Sequence, residues 1–176
     1  MLYILFEMKA HALEAGSRGS FLEYAAKAAL AARDPIRAQD LFLKASKDRE
    51  IAAEMKLGLR DKGTAAVEFG NAAYDAEYAR DFARSRQMAA KSAANHLEAA
   101  DSAQTHHQKA SHYINAVIHM RKAHISANIV STYRKAKDEC EASIDAGEHP
   151  NYTRVTMILI KKDPIAMAEM ARNWLL

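Results

Sequence analysis

ARDPIRAQDLF, residues Ala32–Phe42, has a counterpart near the other end of the chain in KKDPIAMAEMA, residues Lys161–Ala171. In both, Asp-Pro-Ile stands between an apolar run that ends on a basic residue and a new amphipathic run. Proline disfavours helical geometry at the residue before it, so one helix stops ahead of Pro35. Proline is welcome at the first position of the next helix, where its missing N–H costs nothing, and Asp34 is placed to cap that helix. Ile36 is then expected to enter the core. Asp163-Pro164-Ile165 is the same helix-start device, and each copy marks the corner of an αα-hairpin.

Composition extends this to the whole chain. Alanine supplies about a fifth of the 176 residues, and glycine and proline together only nine. Alanine is the best helix former and is depleted from strands, so the fold class expected is all-α. The length suits one domain, 1–176, with a real core.

Further helix boundaries follow from local signals. A first helix is expected over 2–15, closed by Gly16, and a second starting at Ser20, with Glu23 completing a capping box. FLEYAA at 21–26 and EFGNAA at 68–73 are offset by 47 residues, and the same offset lays Ala32-Arg33-Asp34 on Ala79-Arg80-Asp81. Phe82 replaces the proline in that copy, which predicts a continuous helix there. Residues 57–63 read as a helix end and loop, with Thr64 as the next cap. Breaks are expected at 101–107 and 146–150, and a last hairpin over 151–162 and 164–176. The total is about eight helices in antiparallel pairs. Leu41, Phe42 and Ala45 share one helical face, as do Tyr113, Val117 and Met120, and a further set comprises Ile114, Ile118, Ile125 and Ile129.

The unit from Gly19 to Ala52 resembles a tetratricopeptide repeat. Leu22, Ala25, Ala26 and Ala29 match the small and medium positions of that family's first helix, and Ala38, Phe42 and Ala45 its second-helix series. The offset copy supplies Phe69, Ala72, Ala73 and Ala76, then Ser85, Ala89 and Ser92. The C-terminal copy departs further, and the proline that the family places between repeats is missing. The resemblance implies stacked helical hairpins, forming either a curved array or a closed bundle. It also implies a non-enzymatic scaffold that binds a protein or peptide along its first helices. Glu23, Lys27, Tyr74 and Tyr78 fall on the exposed side of those helices under this alignment. Read from their spacing alone, Tyr74 and Tyr78 are either core residues or partner anchors.

Catalytic and metal-binding patterns are missing from the sequence. No Glu or Asp is followed by His three residues later, and His-x-x-x-His, Gly-x-Ser-x-Gly and glycine-rich phosphate loops do not occur. No catalytic residue, cofactor or metal ligand is therefore assigned. Six histidines crowd 96–124, but only His112 and His119 share a helical face, two turns apart. A His-lined bundle enzyme or metal protein stays as a second alternative. Cys140 stands alone, excluding an internal disulfide and reading as a structural thiol.

The net charge of +3 is mild for a nucleic-acid binder. The alternative function is a phosphate-contacting ridge of Arg80, Arg84, Arg86 and Lys91. Against it, Asp75, Glu77 and Asp81 stand at helical spacing to pair with those cations. No secretory leader or stretch of about 20 apolar residues is present, so no membrane partner is expected and the location expected is cytoplasmic. Asn173-Trp-Leu-Leu176 has little polar cover, so this segment is expected either to pack on the N-terminal helix or to form a homo-oligomer contact through the C-terminal hairpin.

Overall fold

The structure, a computed structural model, describes residues 14–148. Among them are six helices and no strand: α1 (Ala15–Ala31), α2 (Pro35–Gly58), α3 (Lys62–Tyr78), α4 (Phe82–Ser102), α5 (His106–Lys122) and α6 (Ile129–Asp145). Residues 2–13 of the N-terminal helix expected over 2–15, and the C-terminal hairpin with its second Asp-Pro-Ile, lie outside the described residues. No described helix is long and apolar enough to cross a membrane.

Three corners share one construction. The helix ends on Ala32, Leu59 or Ala79, and the next residue, Arg33, Arg60 or Arg80, takes a left-handed conformation with φ of 60°, 62° and 61°. Asp34, Asp61 or Asp81 follows. Its backbone N–H donates to a carbonyl five residues back (Ala29, Lys56 or Ala76), closing the finished helix. Its carboxylate then accepts from the N–H of Arg37, Thr64 or Arg84 at 3.0 Å and opens the next helix. One aspartate satisfies orphan groups on two helices, and three residues suffice for the turn.

This construction corrects several sequence expectations. The helix is not continuous through Phe82, because Arg80-Asp81 does the work without proline or glycine. Asp61, not Thr64, caps α3. Gly16 and Ser20 lie inside α1, where Ser20 Oγ donates back to the Gly16 carbonyl instead of capping. Ile36 does not enter the core but points outward at 81% exposure. The break at 101–107 is present, between α4 and α5. A second break, at 123–128, separates Ile114 and Ile118 from Ile125 and Ile129. It begins on His124 at φ 59°, with Ile125 N–H on the Met120 carbonyl.

The described residues divide into two compact units. One holds the residues up to Ser92 together with Lys122–His124; the other holds Ala93–Arg121 and the residues from Ile125 onward. In the first unit Leu22, Ala25, Ala26 and Ala29 of α1 pack on Ala38, Leu41, Phe42 and Ala45 of α2. Phe69, Ala72 and Ala73 of α3 then meet Ala53 of α2 and Met88 and Ala89 of α4. Alanine faces let backbones approach, and hydroxyls exploit the closeness: Ser46 Oγ and Ser92 Oγ donate to the α3 carbonyls of Ala72 and Ala66. The second unit's core is larger-grained, with Tyr113, Val117 and Met120 of α5 against Ile129, Tyr133, Ala136 and Cys140 of α6. Burial pushes the Cys140 thiol up to about 11, with Glu141 and Glu139 adding to it, so it stays a neutral core group.

Burial keeps step with sequence offset. At 47 residues, Ala38, Phe42 and Ala45 of α2 map to Ser85, Ala89 and Ser92 of α4, all buried. At 44 residues, Ala66, Phe69, Ala72, Ala73, Asp75 and Ala76 of α3 map to Ala110, Tyr113, Ala116, Val117, His119 and Met120 of α5, again all buried.

Candidate functional site

In the first unit α1 and α3 form the walls of a furrow whose floor is α2. Because α2 runs antiparallel to both, its beginning lies at one end of the furrow and its end at the other. At the first end Phe42 stacks on Tyr78, ring centroids 5.0 Å apart. At the other is an open cavity of about 560 Å³. Its α1 wall is Glu14, Ala15, Gly16, Ser17 and Ser20; its α3 wall is Thr64 and Glu68. Ala52, Met55, Lys56 and Leu59 lie at the α2 end, with Leu59 at 74% exposure and Met55 also exposed.

Between the two ends a charged knot ties the three helices together. Arg49, only 5% exposed, rises from the floor. Its Nε donates to Asp75 Oδ2 at 2.8 Å, one terminal nitrogen to Glu23 Oε2 at 2.6 Å and the other to Glu68 Oε2 at 3.3 Å. Glu68 also lines the cavity, so the knot and the opening share a side chain. The stem of Arg49 passes so near α1 that a Cβ on Gly19 would sit 2.8 Å from Arg49 Cγ. Glycine is required there for close approach.

Charge counting explains the knot's titration. Arg49 and Lys27, which reaches Glu23 at 2.5 Å, face three carboxylates. Full ionisation would leave a buried negative excess. Asp75 is the deepest of the three, at 2% exposure, and its burial pushes it up to about 7; Glu23 adds to the push and Arg49 opposes it. Burial works against the charge on Arg49, but Asp75, Glu23 and Glu68 outweigh it and raise its pKa.

Of the four residues expected to meet a partner, Glu23, Lys27 and Tyr78 border this furrow, and Tyr74 faces Lys122 of α5. Glu23 is committed to Lys27 and Arg49, and Lys27 also feels Tyr78 and Tyr24. Tyr74 and Tyr78 are exposed rather than core, because Phe69, Ala72, Ala73 and Ala76 already fill the inward faces of α3. Lys122 Nζ sits 4.1 Å from the centre of the Tyr74 ring and pairs with Glu77. Exposed Tyr24 joins the α1 wall and was not singled out from sequence, although it lies next to Glu23.

Two of the four cations of the expected basic ridge are engaged by α2. Arg80 is a corner residue, Arg86 is exposed on α4, and Arg84 and Lys91 turn back onto α2. Arg84 binds Glu50 at 2.5 Å and Ser46 Oγ at 2.9 Å; Lys91 binds Glu50 and Glu54, each at 2.9 Å, and lies over Phe69. The carboxylates that answer these cations are therefore on another helix. The expected partners are occupied elsewhere: Asp75 with Arg49, Glu77 with Lys122, and Asp81 at its cap.

The second unit gathers three of its histidines. His96 Nδ1 of α4 lies 3.0 Å from His112 Nδ1 of α5, and the His96 ring stacks on His119 with centroids 5.9 Å apart. Burial, then His112 and His119, hold His96 down to about 3, and burial lowers His112 as well. Among the described residues no group of three or more His, Cys, Asp or Glu is arranged to hold a metal ion. His106 instead pairs with Glu139 at 2.6 Å. The i,i+7 spacing of His112 and His119 was visible in sequence; His96 comes from another helix and was not.

Compared with known proteins, the chain matches no family model, no curated sequence and no solved structure.

Proposed function

We propose that this chain is a non-enzymatic array of helical hairpins, similar to the tetratricopeptide family, that binds a protein or peptide in the furrow between α1 and α3. The array reading is supported by the matching corners at Arg33, Arg60 and Arg80 and by the burial that keeps step at offsets of 47 and 44 residues. The observation that carries the binding role is the open cavity with exposed Met55 and Leu59 at its floor end and serine, threonine and glutamate on its walls. Such a mixture suits an extended segment that inserts one apolar side chain and hydrogen-bonds along the walls. Tyr24, Tyr74 and Tyr78 supply further rigid contact area along α1 and α3. No such opening is needed for Arg49 and its carboxylates to hold the helices, so the cavity is available for recognition.

A photo-crosslinking amino acid placed at Ser17 or Met55 in cells tests this. Both positions should give the same protein adduct, and the exposed position Gln87 on α4 should not. The recovered partner segment should bind the purified chain, and Leu59→Asp should weaken that binding about tenfold or more. Equal adducts at all three positions, or adducts to nucleic acid alone, would defeat the proposal.

A further inference from the structure

The three gathered histidines occupy a position that the first unit fills differently. Offsets of 47 from α2 to α4 and of 44 from α3 to α5 lay Arg49 on His96, Glu68 on His112 and Asp75 on His119. Where one unit has a cation met by two carboxylates seven residues apart, the other has a histidine met by two histidines seven residues apart. We infer that this histidine knot is an acid-operated latch, which opens the second unit when the rings are protonated and leaves the first unit closed.

The geometry is closed to added charge. Two Nδ1 atoms 3.0 Å apart accommodate one proton between them, one ring donating and the other accepting. Any further proton adds positive charge beside the stacked ring of His119. Four charged groups of the surrounding elements have other partners. Asp101 of α4 accepts from Tyr113, Glu139 of α6 holds His106, Lys135 of α6 lies over Tyr113, and Arg121 of α5 lies over Tyr133. Cys140 of α6 stays neutral. The charges that bear on His96 are His112 and His119 themselves, and both oppose its protonation. The unfolded segment takes up these protons in mild acid and the closed one resists them, so acid favours opening. In the first unit the deepest titrating group is a carboxyl, which gains rather than loses compatibility with burial when protonated. The latch is independent of what the furrow binds.

Hydrogen exchange on the full chain, corrected for intrinsic rates, reads the two units separately. Between about pH 7 and about pH 5, peptides from α5 and the last ten residues of α4 should lose roughly tenfold or more protection while those from α1–α3 keep theirs. His96→Gln retains a hydrogen bond to His112 without a titrating ring, and should cut that loss to within about threefold. Equal loss in both units, or an undiminished loss in H96Q, would overturn the latch. Where H96Q does not fold, the ring resonances of the unaltered protein decide. Titration of His96 and His112 coincident with loss of amide protection supports the latch, and titration near the ordinary histidine value with the amides still protected refutes it.

Discussion

Midway along α2 the first unit buries Arg49 between Glu68 and Asp75; the corresponding positions of the second unit hold His96, His112 and His119. Both arrangements tie a second helix to a neighbouring first helix through polar groups in a core otherwise made of small and apolar side chains. They differ in what must be present for the tie to hold. The arginine knot holds a permanent cation among three carboxyls and can take up a proton at Asp75 while closed, because burial favours the neutral carboxyl. The histidine knot needs its rings uncharged. A buried polar position can thus keep its geometry through a repeat-like architecture while its electrostatic requirement is inverted.

The comparison can be broken most severely at Arg49. Arg49→Met leaves Glu23, Glu68 and Asp75 facing one another without their shared cation, and should cost about 3–5 kcal/mol in urea unfolding near neutral pH. His96→Met, the corresponding change, leaves His112 short of a partner but strands no charge, and should cost about 1–3 kcal/mol. Equal costs would mean that the charges contribute nothing beyond filling space.

Acidity sharpens the contrast without mutation. Asp75 has its folded pKa raised from an ordinary 3.8 to about 7, so its contribution to stability is full below 3.8 and is lost as pH rises through 7. His96 has its folded pKa lowered from 6.5 to about 3, so its contribution is full above 6.5 and is lost as pH falls toward 3. Asp75→Asn should flatten the first dependence in peptides from α1–α3 and leave the second intact in peptides from α5.

Smaller effects probe how each unit is assembled. Gly19→Ala forces a methyl to within 2.8 Å of Arg49 Cγ and should destabilise by about 1–3 kcal/mol, against a helix-propensity gain of about 1 kcal/mol. Gly16→Ala meets only ordinary contact with Ala52 at 3.5 Å and should be neutral or stabilising. At the corners, Arg80→Gly relieves a left-handed residue and should raise the thermal midpoint slightly, by up to about 1 kcal/mol in stability. The same change at Arg33 should behave alike if the corners are equivalent.

How much of this was legible depended on the range of the interaction. Asp34-Pro35 announced its corner because capping is local, and the alanine positions 25, 26, 29, 72, 73 and 76 announced the buried faces because their spacing is helical. The corner at Arg80-Asp81 was obscured by the expectation that a turn needs proline or glycine. The dipeptide Arg-Asp at 33–34, 60–61 and 80–81 carried the signal instead. The furrow's knot was illegible, since Arg49 finds Asp75 26 residues away and on another helix. His96 joined His112 for the same reason. Spacing within one helix reveals a face, but it does not reveal which face will oppose it.

The reach of Arg49 also bears on how the chain is born. As the polypeptide leaves the ribosome, the first hairpin can close around Arg49 with Glu23 alone, while Glu68 and Asp75 follow 19 and 26 residues later. At a synthesis rate of about 5–20 residues per second, that hairpin waits a second or more with an under-neutralised cation at its centre. Emergence of α3 completes the neutralisation, so the nascent chain has an electrostatic reason to dock its third rod before its fourth.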